Sequence, residues 1–522
     1  MEVKLHNLFK LVGLLIVLQS CTGADNKKDD QKDDNAFSAL TDPRRAKVEA
    51  ICSSCHLFVE PSTLDRATWA QFTLPAMGPR MGIFSHRGVN YPNDRGQPNM
   101  DGVYPSKPVI SPEEWDDILN YYATYAPEYN APQVRAVTYK TELPMFVAKS
   151  IPSNSVAPII SMVKIDKQGN YFMFDASSNG FAKFQGNGSS GPIAMHQFNN
   201  PVSWIEPYKN GYLVAHIGSI MPSDLWQGTI TYMEVNGGTI TEKETILNQV
   251  ERPVQLQVGD LDGDKIDDIV VNGYGNNKGN FYWLKKQGNT YKKMTIKQIP
   301  GAIHTQLIDI DKDGDLDIFT LFAQGTEKLI QFTNDGKGNF TEKELLAFPP
   351  VQGSTYFELH DFNNDGILDI LYTAGDNADY SVVFKNFHGV YIFMGDATGN
   401  YMQKYFYPMN GAFKAMAADF DGDGDLDIAA ISFFADYINQ PYEGFLYFEQ
   451  TGPLKFDIRA HPESYKGRWL TMDIGDLEQD GDLDIILGNF SMGPSIAPNT
   501  IKEVWANGPA AMLMINSIKS PK

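Results

Sequence analysis

The chain has 522 residues, of which 42% are hydrophobic and 12% aromatic. This length predicts at least two domains, and the apolar content suffices for large cores, which excludes wholesale disorder. The net charge of −21 argues strongly against a nucleic-acid partner, because phosphate groups would be repelled. The three cysteines are too few for a secreted disulfide scaffold.

The first 37 residues predict an export signal and a tether. Residues 1–20 combine two early lysines with the apolar run 11–18, which is too short to span a bilayer as a helix. The run ends in Leu-Gln-Ser-Cys, which resembles a bacterial lipobox and makes Cys21 the predicted lipidated residue. A plain cleaved signal that leaves a free thiol is the alternative.

Residues 21–37 predict a lipidated, charged tether, because one alanine is the only apolar residue within 22–35. The acidic strings in this tether resemble the tags that sort some lipoproteins to the cell surface. We therefore expect an outer-membrane lipoprotein, attached through its acyl chains and exposed at the surface. A periplasm-facing anchor is the alternative.

Residues 38–130 predict a small all-α domain that carries one haem c. Cys52, Cys55 and His56 have the CxxCH spacing, in which two thiols form thioethers to the haem and the histidine binds the iron. Half a zinc site and a thioredoxin-like pair are the alternatives. The chain offers no cysteine to complete a zinc site, and no βαβ pattern surrounds the motif.

Two predicted helices flank this motif. One begins at Asp42 and Pro43 and runs into Cys52, since aspartate caps helices and proline favours the first turn. The other follows the capping box at 111–114 and ends before Pro127. This pair is similar to the terminal helices of class I cytochromes c.

Several residues could supply the sixth iron ligand. Met77 lies in the segment LPAMGPRMG, and Met100 lies shortly before the last predicted helix, where small cytochromes often place their methionine. Met81 and His86 are further candidates. A methionine opposite the histidine raises the reduction potential and suits electron transfer, whereas an open site would suit ligand or peroxide chemistry. We expect Met77.

Residues 140–522 contain a repeat of about fifty residues. Five clear units each place an acidic loop between two short apolar strands, and two degenerate units, marked by Asp166 and Glu206, precede them. Seven units of four short strands predict an all-β, seven-bladed propeller. The stretch that begins at Leu143 is expected to supply the strand that closes the ring against the C-terminal blade.

The five acidic loops predict structural calcium sites. Oxygen ligands at loop positions 1, 3, 5 and 9 suit a hard cation, and a glycine at position 6 permits the sharp turn. Together the loops hold 23 acidic residues, which cannot all stay ionised without a cation. Metal-free Asx-turns are the alternative. The predicted ligands of up to five Ca²⁺ ions are Asp260, Asp262, Asp264, Asp268, Asp309, Asp311, Asp313, Asp317, Asp361, Asn363, Asp365, Asp369, Asp419, Asp421, Asp423, Asp427, Asp476, Glu478, Asp480 and Asp484.

Three of these loops depart from the pattern and are expected to bind more weakly. Lys265 replaces the glycine of the first loop, Asn363 lowers the charge of the third, and Glu478 lengthens a ligand arm in the fifth.

These motifs together give the chain a resemblance to bacterial FG-GAP/VCBS-repeat propeller lipoproteins with an N-terminal cytochrome c domain. Their blade architecture is similar to that of the integrin α-subunit head. The resemblance rests on the segments CSSCHLFVEPSTLD, LPAMGPRMG, FHGVYIFMGD and GRWLTMDIGDLEQDGDLDIILGNF. It implies haem c, calcium and a cell-envelope location, but no settled biochemical activity.

Three functions are compatible with the sequence. The first is electron transfer to an unidentified redox partner, with a propeller that binds a protein or glycan. The second is an adhesin with a structural or sensory haem. The third is a propeller dehydrogenase that reduces its own haem. It is disfavoured because the tryptophan-docking repeat and vicinal cysteines of quinoproteins do not occur, and GxSxG, HExxH and Walker motifs are missing.

A polar rim at one end of the central channel would support ligand binding. The candidate members are the residues five positions before each loop acid and two arginines eight positions before. The sequence favours the simpler interpretation, that these are ordinary polar residues at strand ends. The candidates are Gln255, His304, Tyr356, Lys414, Thr471, Arg252 and Arg468.

Overall fold

The computed structural model of the protein describes residues 38–186, 191–377 and 382–518. The predicted signal peptide, the lipidation site Cys21 and the tether lie outside the described residues. Among the described helices, none has the length and apolar character needed to cross a bilayer.

Seven four-stranded antiparallel sheets form a seven-bladed β-propeller, as the repeats predicted. In blades 1–6, the four strands follow one another from the innermost to the outermost position. In chain order, the strands of blades 1–3 are Ile160–Ile165, Asn170–Asp175, Gly180–Gln185, Ala194–Gln197; Val202–Tyr208, Gly211–His216, Gly228–Asn236, Thr239–Val250; and Pro253–Gly259, Asp268–Gly273, Asn280–Gln287, Thr290–Lys297. Those of blades 4–6 are Ala302–Ile308, Asp317–Phe322, Glu327–Asn334, Phe340–Phe348; Ser354–His360, Asp369–Ala374, Gly389–Gly395, Tyr401–Pro408; and Ala412–Ala418, Asp427–Ser432, Phe445–Gly452, Lys455–Ala460.

Blade 7 is assembled from both ends of the propeller sequence. Its three inner strands are Trp469–Gly475, Asp484–Asn489 and Ala511–Asn516, and its outermost strand is Phe146–Ile151. The outermost pair is antiparallel, from Phe146 opposite Asn516 to Ile151 opposite Ala511. The predicted closure of the ring by the stretch after Leu143 is confirmed.

In each blade that carries an acidic loop, the apolar run after the loop forms the second strand. Every residue of Asp268–Gly273, Asp317–Phe322, Asp369–Ala374, Asp427–Ser432 and Asp484–Asn489 is buried. These strands are central in their sheets and are covered on both faces by neighbouring blades, so they carry continuous rather than alternating apolar residues. Between blades 5 and 6, for example, Leu371 and Ile392 pack with Ala415 and Ile428.

The N-terminal region contains short helices joined by long irregular segments, rather than the clear all-α domain that the sequence predicted. Its helices cover residues 38–41, Arg45–Cys52, Arg66–Thr68, Leu74–Arg80 and Pro112–Tyr125, with a π-helical segment at Trp69–Thr73 and a 3₁₀ turn at Pro61–Thr63. A ribbon pairs Ser85–His86 with Val89–Asn90. The prolines and glycines between residues 88 and 108 explain why no helix forms there. Outside this region, the described helices are Asn499–Ala506 and a 3₁₀ turn at Ser464–Lys466.

The two predicted helices beside the CxxCH motif are present. The first begins at Arg45, two residues later than expected, because Asp42 Oδ1 accepts the backbone N–H of Arg44 at 2.7 Å and holds a turn. The second has the predicted capping box between Ser111 and Glu114. Its buried face contributes Trp115, Ile118, Tyr121 and Tyr122 to the N-terminal core.

Candidate haem-binding and calcium-binding sites

The CxxCH residues lie where the helix Arg45–Cys52 ends. Cys52 is half-buried and packs against the N-terminal core, whereas Cys55 is exposed, and neither forms a disulfide. Burial raises the pKa of the Cys52 thiol to about 11. His56 Nδ1 lies 2.9 Å from the carbonyl oxygen of Leu57. With Nδ1 as the donor in this contact, Nε2 keeps its lone pair for a metal.

The four candidates for the sixth ligand occupy different surroundings. Met77 packs against the same core cluster as Cys52. Met81 is buried where the helix Leu74–Arg80 ends. Met100 Sδ lies 4.0 Å from Nδ2 of Asn277 in the propeller, and His86 Nε2 lies 2.7 Å from Asp116 Oδ1. The structure therefore groups only Met77, of these four, with a CxxCH residue in one cluster.

The N-terminal region rests on one end of the propeller. Val351 and Val383 of the propeller pack against its core. Next to His56, the backbone N–H of Leu57 donates to Thr326 Oγ1 at 3.1 Å. The CxxCH motif therefore faces the turn that precedes the third strand of blade 4.

A cavity of about 30 Å³ lies between the two parts of the molecule. Its lining includes Thr73 from the N-terminal region and Glu327, Asp376 and Lys385 from the propeller. The Glu327 carboxylate is buried and accepts the backbone N–H groups of Gly353 at 2.9 Å and Ser354 at 2.6 Å. Burial raises its pKa to about 7, and the charge of Asp376 acts in the same direction.

The raised pKa of Glu327 predicts that the stability of the protein depends on pH. Its pKa is higher in the folded than in the unfolded chain, so its contribution is fully present below pH ~4.5 and is lost as the pH rises through 7. The free energy of unfolding is expected to fall by up to about 3 kcal/mol over that window. Glu327→Gln should flatten this slope, measured by urea unfolding at several pH values with calcium held saturating. Parallel slopes for the two proteins would refute the assignment.

The five acidic loops share one backbone geometry. In each loop, Oδ2 of the first aspartate accepts the backbone N–H of position 6, at 2.7 to 3.1 Å. Positions 4 and 6 both have positive φ, as in Gly422 at 77° and Gly424 at 94°. Lys265 adopts this conformation too, at 64°, although a side chain makes it unfavourable. These turns suit a calcium loop, but metal-free Asx-turns use the same hydrogen bonds.

Carboxylate oxygens converge in three of the five loops. Three acidic side chains in each approach within 4.8 Å of one another, and the described residues hold no other such acidic group. In the third loop, Asn363 instead donates its amide to Asp365 Oδ2 at 2.8 Å, and Glu478 of the fifth loop is exposed. The converging sets are Asp260, Asp262, Asp268; Asp309, Asp311, Asp313; and Asp419, Asp421, Asp423.

The aspartate at position 9 has a structural role in every loop. Its Oδ1 accepts a backbone N–H of the third strand, as Asp427 does from Gln450 at 2.8 Å. In four loops Oδ2 also accepts the N–H of position 2, as Asp484 does from Leu477 at 2.8 Å. Burial raises the pKa of Asp427 to about 7 and that of Asp484 to about 6. Of these five predicted ligands, only Asp268 belongs to a converging set.

The predicted channel rim is only partly assembled. The rings of His304 and Tyr356 lie 4.2 Å apart, and Lys414 Nζ lies 4.8 Å from the centre of the Tyr356 ring. Gln255 instead bonds the backbone of Thr305 in the next blade, and Arg468 is buried with its guanidinium bonded to three carbonyl groups. Arg252 donates to the carbonyl of Ile220, and Thr471 Oγ1 is buried with no partner within the described ranges.

A second layer of polar residues lies two positions further along the innermost strands and was missed. Lys164 Nζ lies 3.6 Å from Asp473 Oδ2 across the closure between blades 1 and 7. Asp473 Oδ2 also accepts the N–H of Ile165 at 2.8 Å, and Glu358 Oε2 accepts that of Ala417 at 2.9 Å. These side chains therefore tie neighbouring blades. The alternation of residues along a strand could have located them.

The comparisons with known proteins agree with this architecture. The sequence model described as FG-GAP-like repeat matches residues 260–320 and 309–372. Each match runs from one acidic loop through the next and into the strand that follows it. The chain contains FG-GAP repeats. A search of the curated proteins found no significant match.

Many solved structures match this chain. A catalytically inactive virginiamycin B lyase from Staphylococcus aureus, solved with quinupristin, has 11% identity and a TM-score of 0.45, over 71% of this chain and 99% of that one. The Cps50 (Swd1) β-propeller domain from Myceliophteria thermophila has 7% identity and a TM-score of 0.42, over 71% of this chain and 100% of that one. The N-terminal domain of Nup159 has 11% identity and a TM-score of 0.41, over 73% and 98%.

Proposed function

We propose that the protein is a c-type cytochrome lipoprotein of the cell envelope. One haem, attached through Cys52 and Cys55, transfers single electrons, and a calcium-stabilised propeller binds a protein partner or a glycan. The observation that carries the proposal is the arrangement at the end of the helix Arg45–Cys52. There the CxxCH histidine is oriented through Nδ1, and Met77 packs against the same cluster as Cys52.

The donor set fits a covalent haem. Two unbridged thiols stand three residues apart, and the neighbouring imidazole has its Nδ1 engaged at 2.9 Å by the carbonyl of Leu57. The contact between Leu57 and Thr326 restrains the backbone beside His56, so the propeller helps to orient the ring. When bound, the haem would supply one-electron redox chemistry. Its attachment would place that chemistry near blade 4, because the CxxCH motif faces the turn at Thr326.

The absorption spectrum of the mature protein, oxidised and reduced, tests the proposal directly. The protein is co-expressed with the haem-attachment machinery. A c-type spectrum that resists acid-acetone extraction is expected, and the double variant Cys52→Ser/Cys55→Ser should lose it. The double variant should still show the circular dichroism of the propeller, which separates loss of haem from loss of fold. Wild-type protein without covalent haem would contradict the electron-transfer function.

Met77→Ala tests the sixth ligand. We expect loss of the long-wavelength methionine-to-iron band and a fall in midpoint potential on the order of 0.1 V, within the ~0.8 V range that axial ligands span. Met100→Ala is the matched control, because the Met100 side chain faces Asn277 of the propeller. Loss of the band in Met100→Ala with its retention in Met77→Ala would reverse the assignment.

The anchor is a separate part of the proposal. Lipidation at Cys21 would hold the protein in the outer membrane, exposed at the surface. Cys21→Ser is expected to move it from the membrane fraction to the soluble fraction. Protease treatment of intact cells would then separate surface exposure from a periplasm-facing anchor.

A binding propeller with a structural haem is the second candidate, favoured by the polar and aromatic groups that converge on the channel. Trp204 and Lys164 extend the His304–Tyr356 pair, with Lys164 Nζ 5.5 Å from the Trp204 ring centre. Binding to a glycan array, compared between the oxidised and reduced protein, separates the candidates. Binding that ignores the haem oxidation state favours the adhesin, and binding that depends on it favours electron transfer.

A further inference from the structure

The first acidic loop, residues 260–268, already contacts a cation of the protein itself. Lys285, on the third strand of blade 3, makes a direct ion pair with Asp262 Oδ2. The Asp262 side chain is 4% exposed, and the Lys285 side chain that covers it is 31% exposed. Asp262 is one of the three converging carboxylates of this loop. A metal ion bound to Asp262 would therefore lie next to the Lys285 ammonium group.

The other four loops have no lysine at the equivalent position. Lys286, the residue after Lys285, donates its backbone N–H to the aspartate at loop position 9. The same hydrogen bond occurs in the other four blades, and the residue before its donor is the counterpart of Lys285. One counterpart is acidic, and the other three are uncharged. The counterparts are Thr333, Met394, Glu449 and Ile515.

The sequence of the first loop also departs from that of the others. Lys265 occupies position 6 at a φ of 64°, where the other four loops have glycine. Asp260 still holds the turn, accepting from Gly263 at 2.8 Å and Lys265 at 2.8 Å. The loop therefore keeps its shape through hydrogen bonds, and its charge is partly neutralised by Lys285.

We propose that the Lys285 ammonium group takes the place of a metal ion in loop 260–268, and that this loop binds no calcium in the native protein. This inference rests on the proposed binding of calcium by the other loops. It lowers the expected number of calcium ions from up to five to at most four. The physical reason is competition, since Ca²⁺ would have to displace an ammonium that is covalently part of the blade and already paired with Asp262.

To test the inference, the mature protein and three variants are titrated with calcium chloride. Native mass spectrometry counts the calcium ions bound to each protein. Lys285→Met is expected to bind one ion more than the wild type, because Asp262 loses its paired ammonium group and can bind the ion with the other two converging carboxylates. Thr333→Lys places an ammonium opposite Asp311 in the second loop and is expected to bind one ion fewer. Lys286→Met removes the neighbouring lysine, which contacts Tyr208, and should leave the count unchanged.

Each result decides a different claim. A wild-type count of five, or an unchanged count in Lys285→Met, overturns the inference and leaves calcium binding intact. A count of zero in the wild type overturns both this inference and the proposed binding of calcium by the other loops. Thermal unfolding shows whether Lys285→Met is still correctly folded. In a chelator, its melting temperature should be lower than that of the wild type, and added calcium should restore it. A lower melting temperature that calcium does not restore would also count against the inference.

Discussion

Phe146→Ala is expected to destabilise the propeller by about 3–5 kcal/mol, the cost of removing a buried phenylalanine from a packed core. Phe146 opens the strand that closes the ring. Its ring packs against Phe420 at 5.9 Å and Tyr447 at 5.7 Å between centroids. The truncation therefore weakens blade 7 and its contact with blade 6 together. Urea unfolding monitored by tryptophan fluorescence measures the effect.

Val147→Ala is the matched control, because Val147 is the next residue of the same strand and is 59% exposed. We expect a change of less than ~0.5 kcal/mol there. If both substitutions cost the same small amount, the strand Phe146–Ile151 does not close the ring in solution. A large loss confined to Phe146→Ala would support closure.

Removal of calcium is expected to produce the second large loss of stability. At a free concentration 100 times the dissociation constant, each ion adds about 2.7 kcal/mol, so the loops 309–317 and 419–427 together contribute roughly 5 kcal/mol. Scanning calorimetry in excess calcium and in chelator measures the difference. Restored calcium should restore the melting temperature, and magnesium should do so less well because it demands a tighter octahedral site.

Asp421→Asn separates a calcium site from a metal-free turn. In chelator, the substitution should stabilise the protein, because burial and the charges of Asp423 and Asp419 raise the pKa of Asp421 and so oppose its ionised form. In excess calcium, the same substitution should destabilise the protein, since it removes a charged ligand. A stabilising effect under both conditions would favour the metal-free Asx-turn.

The sequence predicted the propeller well because its repeats are local. Each of the five clear units carries an acidic turn followed by an apolar strand, and both features appear within about ten residues. The ring closure was also predicted, because an apolar stretch begins at Leu143, before the first repeat unit. The N-terminal region was predicted less well. The CxxCH motif and the capping box located two helices correctly. The stretch from 88 to 108 carries no periodic pattern, so its structure was not predicted.

The sites show where sequence patterns stop being informative. Spacing located the loop aspartates, because their ligands are close along the chain. It did not locate Lys285, which lies 23 residues from Asp262 and reaches it only through the fold of the blade. It also assigned Gln255 and Arg468 to a rim, whereas both bond neighbouring backbone groups. Side-chain direction across blade interfaces depends on packing, which a repeat alone does not specify.

The composite seventh blade has a consequence for folding. Phe146–Ile151 precedes all the other propeller strands in the chain, yet its partner Ala511–Asn516 lies near the other end. At about 5–20 residues per second, synthesis separates the two by roughly 20–70 s. Throughout that interval the first strand lacks its partner, and blade 1 lacks the neighbouring blade 7 that packs against it. Such non-local pairing slows folding and exposes edges to aggregation. A chain that ends before residue 511 would lack the partner of Phe146–Ile151, so its seventh blade would keep only the strands Trp469–Gly475 and Asp484–Asn489.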